Sequence, residues 1–136
     1  MRSMTEKQTF EGVIARQGKL VYTNVGDSMY PLIQPRDLLV IEAVKAPVRQ
    51  FDIPLYKRDN GQYVLHRIMR IQNGEYLMCG DNRCSMEHGI TDRHIIGVLT
   101  AIIRDGRTIP VVRPKPTLWY RSMLFRRLVF KLRKKR

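Results

Sequence analysis

Residues 53–79, IPLYKRDNGQYVLHRIMRIQNGEYLMC, decide the fold of this chain. Two turn dipeptides, Asn60-Gly61 and Asn73-Gly74, cut the stretch into three extended segments: Ile53–Lys57, Tyr63–Ile71 and Tyr76–Cys79. Asn-Gly between apolar runs is a strong hairpin signal, because a tight turn needs positive φ that these two residues tolerate. Pro54 lacks the N–H a central strand would donate, so the first segment belongs at an edge or a strand start. The stretch therefore reads as an antiparallel meander.

The same pattern continues outward in both directions. Leu20–Val25 and Leu38–Val44 are expected strands, separated by one helical turn at Met29–Ile33 and the turn Gln34-Pro35-Arg36-Asp37. Residues 80–94 read as a polar loop, Ile95–Ile103 as a buried strand, and Asp105-Gly106 as a turn into a last strand ending near Val112. Upstream, Thr5–Arg16 reads as a short helix. Thr5 would cap it, Phe10, Val13 and Ile14 share a face, and Gly18 would end it. Downstream, Arg113-Pro114-Lys115-Pro116 breaks any strand, and residues 118–136 can be helical. The expected fold is mainly β, organised as an N-terminal helix over 1–18, a β domain over 19–112 and a basic aromatic tail over 113–136.

The 136 residues allow one domain with a real core. The net charge of +13 is unevenly spread. Residues 113–136 carry ten Lys/Arg and no Asp/Glu, whereas residues 1–112 carry fifteen against twelve. A uniformly basic nucleic-acid surface is disfavoured by this split. Two cysteines, Cys79 and Cys84, do not make a disulfide framework and fit a reducing compartment. The first twenty residues hold six charged side chains and no signal-like apolar run, and no stretch is long enough to span a bilayer. The expected location is cytoplasmic or peripheral to a membrane.

Gly26-Asp27-Ser28-Met29-Tyr30-Pro31 presents a serine between a permissive glycine and a proline. A serine hydroxyl needs a base to become a nucleophile, and a turn exposes it and aims backbone N–H groups at a forming oxyanion. The competing reading is that Asp27-Ser28 caps a helical turn. His66, inside the apolar Val64–Met69 run, has the near-neutral pKa of a general base, although a lone histidine in a strand is more often structural. Asp81 follows Gly80 and precedes Asn82, which is also an ordinary turn. Taken jointly, the three define a Ser28/His66/Asp81 centre in which Asp81 orients the histidine. Gly26, Met29 and Pro31 are assigned to substrate binding.

Gly26–Pro31, Asp37-Leu38-Leu39-Val40, Leu65-His66-Arg67-Ile68 and Gly80-Asp81-Asn82 resemble the boxes of type I signal peptidases. The resemblance is to the endoplasmic-reticulum and archaeal branch, which pairs serine with histidine. Its clan also holds self-cleaving repressors. The resemblance covers residues 20–104. It implies an irregular β-sandwich or barrel, and a serine endopeptidase that cleaves a signal or leader peptide after small residues. Ser28 matches the nucleophile, His66 the base and Asp81 the aspartate. The family's usual transmembrane anchor is not seen. The box after Gly80-Asp81-Asn82 departs from the family, so Glu87 or Asp92 are alternative partners for His66. Two rival readings stand beside the enzyme: a catalytically weak peptidase-like binding or regulatory module, and a membrane- or nucleic-acid-binding protein that acts through its tail.

No cofactor is expected. Cys79, Cys84, His88 and His94 are conceivable zinc ligands, but their spacing is a poor match and Cys79 continues an apolar strand. Lys57 is a surface charge rather than a base. The tail interleaves Trp119, Phe125 and Phe130 with Arg121, Arg126, Arg127 and Lys131, without one clean apolar face. It reads as a segment lying on an anionic membrane surface. The partners expected are thus a peptide or protein substrate and, through 118–136, that surface.

Overall fold

A computed structural model describes residues 9–134. It is mainly β, with a short N-terminal helix and a helical C-terminus. Helix α1 (Phe10–Gln17) is capped by Thr9, whose hydroxyl accepts from the Gly12 N–H at 3.0 Å. Thr5, the cap expected from the sequence, lies outside the described residues. Gly18 ends the helix at φ 73°, and its N–H returns to the Ile14 carbonyl. A left-handed residue is needed there, and glycine takes it without strain.

Among the described residues, nine strands form two antiparallel sheets. The larger contains β1 (Lys19–Thr23), β2 (Leu38–Glu42), β3 (Pro54–Lys57), β4 (Tyr63–Leu65), β8 (Ile95–Arg104) and β9 (Arg107–Pro110). Its order is β1-β2-β8-β3-β4, with β9 also paired to β8. The smaller sheet is β5 (Arg67–Gln72), β6 (Glu75–Cys79) and β7 (Glu87–Ile90). Two expectations change. The run Tyr63–Ile71 is not one strand: it breaks at His66, where the chain leaves the larger sheet for the smaller. The segment 80–94 is not all loop, because Glu87–Ile90 pairs with β6 through Tyr76 and Met78.

The alternation in β2 buries Leu39 and Ile41, which join Ile14, Met29, Ile33, Leu55, Leu99 and Ile102 in the larger core. A second core gathers Tyr56, Val64, Ile68, Tyr76, Met78 and Ile90 between β3, β4 and the small sheet. Gly97 lets α1 approach β8 closely. A Cβ there would sit 2.8 Å from the Glu42 carbonyl oxygen and 3.2 Å from Ile14.

Strands β1 and β4 terminate the path of the larger sheet at opposite ends. Helix α1 bridges them. The Phe10 ring stacks on Tyr22 of β1 at 5.0 Å and meets Tyr63 of β4 at a tilt, 4.7 Å between centroids. Glu11 pairs with Lys57 at 3.1 Å and accepts from the Tyr63 hydroxyl. Two sheet edges therefore face one another across a cavity.

The C-terminal segment packs on the small-sheet side. Helix α2 (Leu118–Arg121) and helix α3 (Met123–Lys134) are separated at Ser122, which has extended backbone. That break resets the helical phase, so α3 has a separate apolar face that a single wheel over 118–136 obscures.

Candidate active site

Ser28 follows Gly26, whose φ of 87° makes the bend out of β1. The bend is held from several sides. Asn24 donates from its side chain to the Gly26 and Gln34 carbonyls. The loop after Ser28 is tied down by buried Asp37, which accepts from the Gln34 N–H at 2.8 Å and pairs in bidentate fashion with Arg104 at 2.7 and 2.9 Å. The Arg104 hydrogen bond keeps the Asp37 carboxyl below the usual carboxylate range, against a smaller upward push from burial.

The Gly80–Arg83 turn is zipped along the back of the serine. The Asn82 N–H donates to the Ser28 carbonyl at 2.8 Å, and its side chain donates to the Asp27 carbonyl at 3.2 Å. Arg83 pairs with exposed Asp27. Contact is so close at Gly80 that a Cβ would lie 2.5 Å from the Ser28 carbonyl oxygen. Among the described residues, the Ser28 N–H has no hydrogen-bond partner in the protein.

His66 sits at the seam between β4 and β5. With Ser28 it lines a cavity of about 400 Å³, walled by Phe10, Tyr22, Met29, Leu39 and Tyr63 among others. The nucleophile and base expected from sequence are thus brought to one cleft. Met29 is a wall of it, while Gly26 shapes the turn and Pro31 lies outside the lining. On its other side His66 borders a second cavity of about 370 Å³ lined by Arg58, Arg83 and Glu87.

Asp81 stands elsewhere. Its carboxylate is buried and forms a bidentate pair with Arg67 at 2.8 and 2.8 Å. Arg67 also donates to the Phe51 carbonyl and lies over the Tyr120 ring. The Asp81 N–H is held by the Met29 sulfur at 3.3 Å. Asp81 is therefore the anchor of the turn behind Ser28, not the hydrogen-bond partner of His66. The expected orienting role fails because Arg67, next to His66 in sequence, occupies both oxygens.

The side chain that meets His66 is Tyr56, whose hydroxyl is 3.4 Å from Nδ1. Tyr56 in turn donates to Glu87 at 2.7 Å, and Arg58 grips the same carboxylate at 2.7 and 2.8 Å. A phenol has one proton, and the carboxylate takes it. Its oxygen is then free to accept from Nδ1–H, the tautomer that leaves the ring's lone pair on Nε2. Burial would push Glu87 up, but Arg58 and Tyr56 hold it below its ordinary range. Burial pushes Tyr56 up strongly. Burial, aided by the Arg58 charge, brings His66 down to about 4. Asp92, the other alternative acid, accepts instead from Tyr76.

The remaining candidates are dispersed. Lys57 is paired with Glu11 at a half-exposed position, and its pKa is raised by that carboxylate. Cys79 contacts Arg126, His94 pairs with Asp59, and exposed His88 approaches Glu75. Among the described residues, no group of three or more His, Cys, Asp or Glu side chains is placed to hold a metal.

Sequence reasoning gave no role to Tyr56, Arg58 or Arg67, and left Glu87 as one of several. The alternation of β3 does place Tyr56 opposite Val64, two residues before His66, so cross-strand geometry carried a faint signal. Comparison with protein-family models and with curated proteins gives no match.

Proposed function

We propose that the chain is a serine endopeptidase of the signal-peptidase type, acting on a signal or leader peptide. The observation that carries this reading is that Ser28 and His66, on separate elements, line one cavity between two sheet edges. An extended peptide fits such a place by adding to the free edge of β1, the strand that enters Ser28. The apolar wall of Tyr22, Met29, Ile33 and Leu39 receives side chains before the scissile bond.

In this mechanism Ser28 Oγ attacks the peptide carbonyl while His66 Nε2 takes its proton. The Ser28 N–H donates to the oxyanion. Collapse of the tetrahedral intermediate breaks the C–N bond, and the imidazolium returns the proton to the leaving amine. Water, activated by the same ring, then hydrolyses the acyl-enzyme. Tyr56, polarised by Glu87 and Arg58, holds the ring and stabilises the transient positive charge.

The test is labelling with a fluorophosphonate, which phosphonylates activated serines, followed by mass mapping. A stoichiometric adduct at Ser28 that disappears in His66→Ala is expected. An unlabelled protein, with vesicles present or absent, would overturn the enzyme in favour of a non-cleaving binding module. The low basicity of His66 gives that second reading its one supporting observation.

A further inference from the structure

Helix α3 buries a cation and exposes leucines. On its inner face Arg126 is fully buried beside half-buried Met123, Val129 and Phe130, while exposed Arg133 lies over the Trp119 and Phe130 rings. The Arg126 guanidinium donates to the Cys79 sulfur at 3.3 Å, to the Gly80 and Arg83 carbonyls at 3.1 Å, and twice to the Trp119 carbonyl. Trp119 donates from its indole to the Asp81 carbonyl at 2.8 Å. The buried Arg126 charge is thus spent on the turn that backs Ser28.

The outer face is apolar. Leu124, Leu128 and Leu132 fall at i, i+4 and i+8 and are 76, 53 and 57% exposed. Phe125 extends the same stripe. Exposed Arg127, Lys131 and Lys134 run beside it at i, i+4 and i+7, and Arg127 also donates to the Cys84 carbonyl. The stripe faces away from the protein that α3 packs against, so burial in this chain does not account for it. A contiguous exposed apolar row on a stable helix marks a docking surface.

We propose that the outward face of α3 docks on the surface of an anionic membrane. Charge selects this occupant: residues 113–136 contain no Asp or Glu, so the leucine stripe is bordered by cations alone. This is the arrangement that inserts leucines at the headgroup boundary while lysine and arginine meet lipid phosphates. Twelve helical residues span about 18 Å, too short to cross the hydrocarbon and long enough to lie along it. Docking would hold α3, and through Arg126 the turn that backs Ser28, at the membrane surface. On the peptidase reading, this favours substrates held at the membrane.

The full-length chain is floated with vesicles of phosphatidylcholine alone or with 30% phosphatidylglycerol (roughly the anionic content that tests surface charge). Comparison is with Leu124→Asp/Leu128→Asp and Lys131→Glu/Lys134→Glu. These positions are exposed, and circular dichroism checks that both variants fold. The wild type should float with anionic vesicles and not with neutral ones. Each double variant should bind at least about tenfold more weakly. Equal flotation of the leucine variant would overturn the proposal. So would a wild type that ignores vesicles but sediments as a dimer that the leucine variant dissociates, since a second copy would then cover the stripe. Retained vesicle binding that RNA competes away, with no leucine dependence, would reduce the tail to a phosphate binder and also overturn it.

Discussion

The His66 ring should stay neutral far below the pH at which histidines usually charge. Its pKa falls from 6.5 to about 4, first because the ring is removed from water and next because Arg58 is nearby. Glu87, Arg83 and Asp81 also act on it, and the two acids oppose the shift. At about 1.4 kcal/mol for each tenfold change in proton affinity, the drop corresponds to roughly 3 kcal/mol. The ring is only partly sheltered, so about 2 kcal/mol is the expected measurable part. The sign follows from linkage. Between pH 6.5 and 4 the unfolded chain binds a proton at this site that the folded chain refuses, so stability falls as pH drops through that window. Glu87 and Asp37, held below their usual range, add their own losses at lower pH. Comparison with His66→Gln, which keeps a neutral polar side chain, removes those common losses. Urea unfolding at pH 7 and pH 4 should show the wild type losing about 2 kcal/mol more than the variant. Imidazole ¹⁵N shifts should report the titration directly. A ring that charges near 6.5, or identical acid losses in both proteins, would refute the argument, because it would mean that water reaches His66 freely.

Three further outcomes follow from the same contacts. Asp81→Asn leaves a buried Arg67 charge without its counterion and should cost about 3–5 kcal/mol, whereas Asp81→Leu with Arg67→Met should recover most of it in urea unfolding. Tyr56→Phe should leave the fold near wild type and slow Ser28 phosphonylation by about tenfold, the value of one hydrogen bond of roughly 1.4 kcal/mol made in the transition state; an unchanged rate would remove the Tyr56 relay. Gly80→Ala forces a methyl against the Ser28 carbonyl and should destabilise by about 1–3 kcal/mol while suppressing labelling at Ser28; full stability and labelling would show that the turn does not back the serine.

The strands were legible where a local rule operated. The Asn-Gly turns, the alternating β2 and the αL glycine after α1 are each set by neighbours in sequence. Strand β7 was not legible, because Glu87-His88-Gly89-Ile90 is polar and glycine-containing and becomes a strand only against β6. The break at His66 was hidden in an unbroken apolar run, since nothing local says that pairing partners change there. In the candidate site, Ser28 and His66 were singled out from their boxes, and both line one cavity. The function of Asp81 was not legible, because a carboxylate goes to whichever cation the fold delivers. Arg67 reaches it from β5, where it stands opposite Cys79 at the end of β6. Arg126 likewise reads as a solvated charge in a basic run, and only the packing of α3 turns it into the fully buried ligand of three backbone carbonyls and a sulfur.

The placement of His66 at the seam has a consequence for when the centre can exist. Ser28 belongs to the larger sheet, and the turn that braces it grows from the end of β6 in the smaller one. A chain in which only the larger sheet has assembled holds Ser28 and Tyr56 but lacks Glu87 on β7 and the turn that backs the serine. A chain in which only the smaller sheet has assembled holds neither the serine's bend nor Tyr56 on β3. The arrangement around Ser28 is therefore a property of the finished molecule alone; on the proposed peptidase reading, this would shield nascent and unfolded copies from cleavage by partly folded ones.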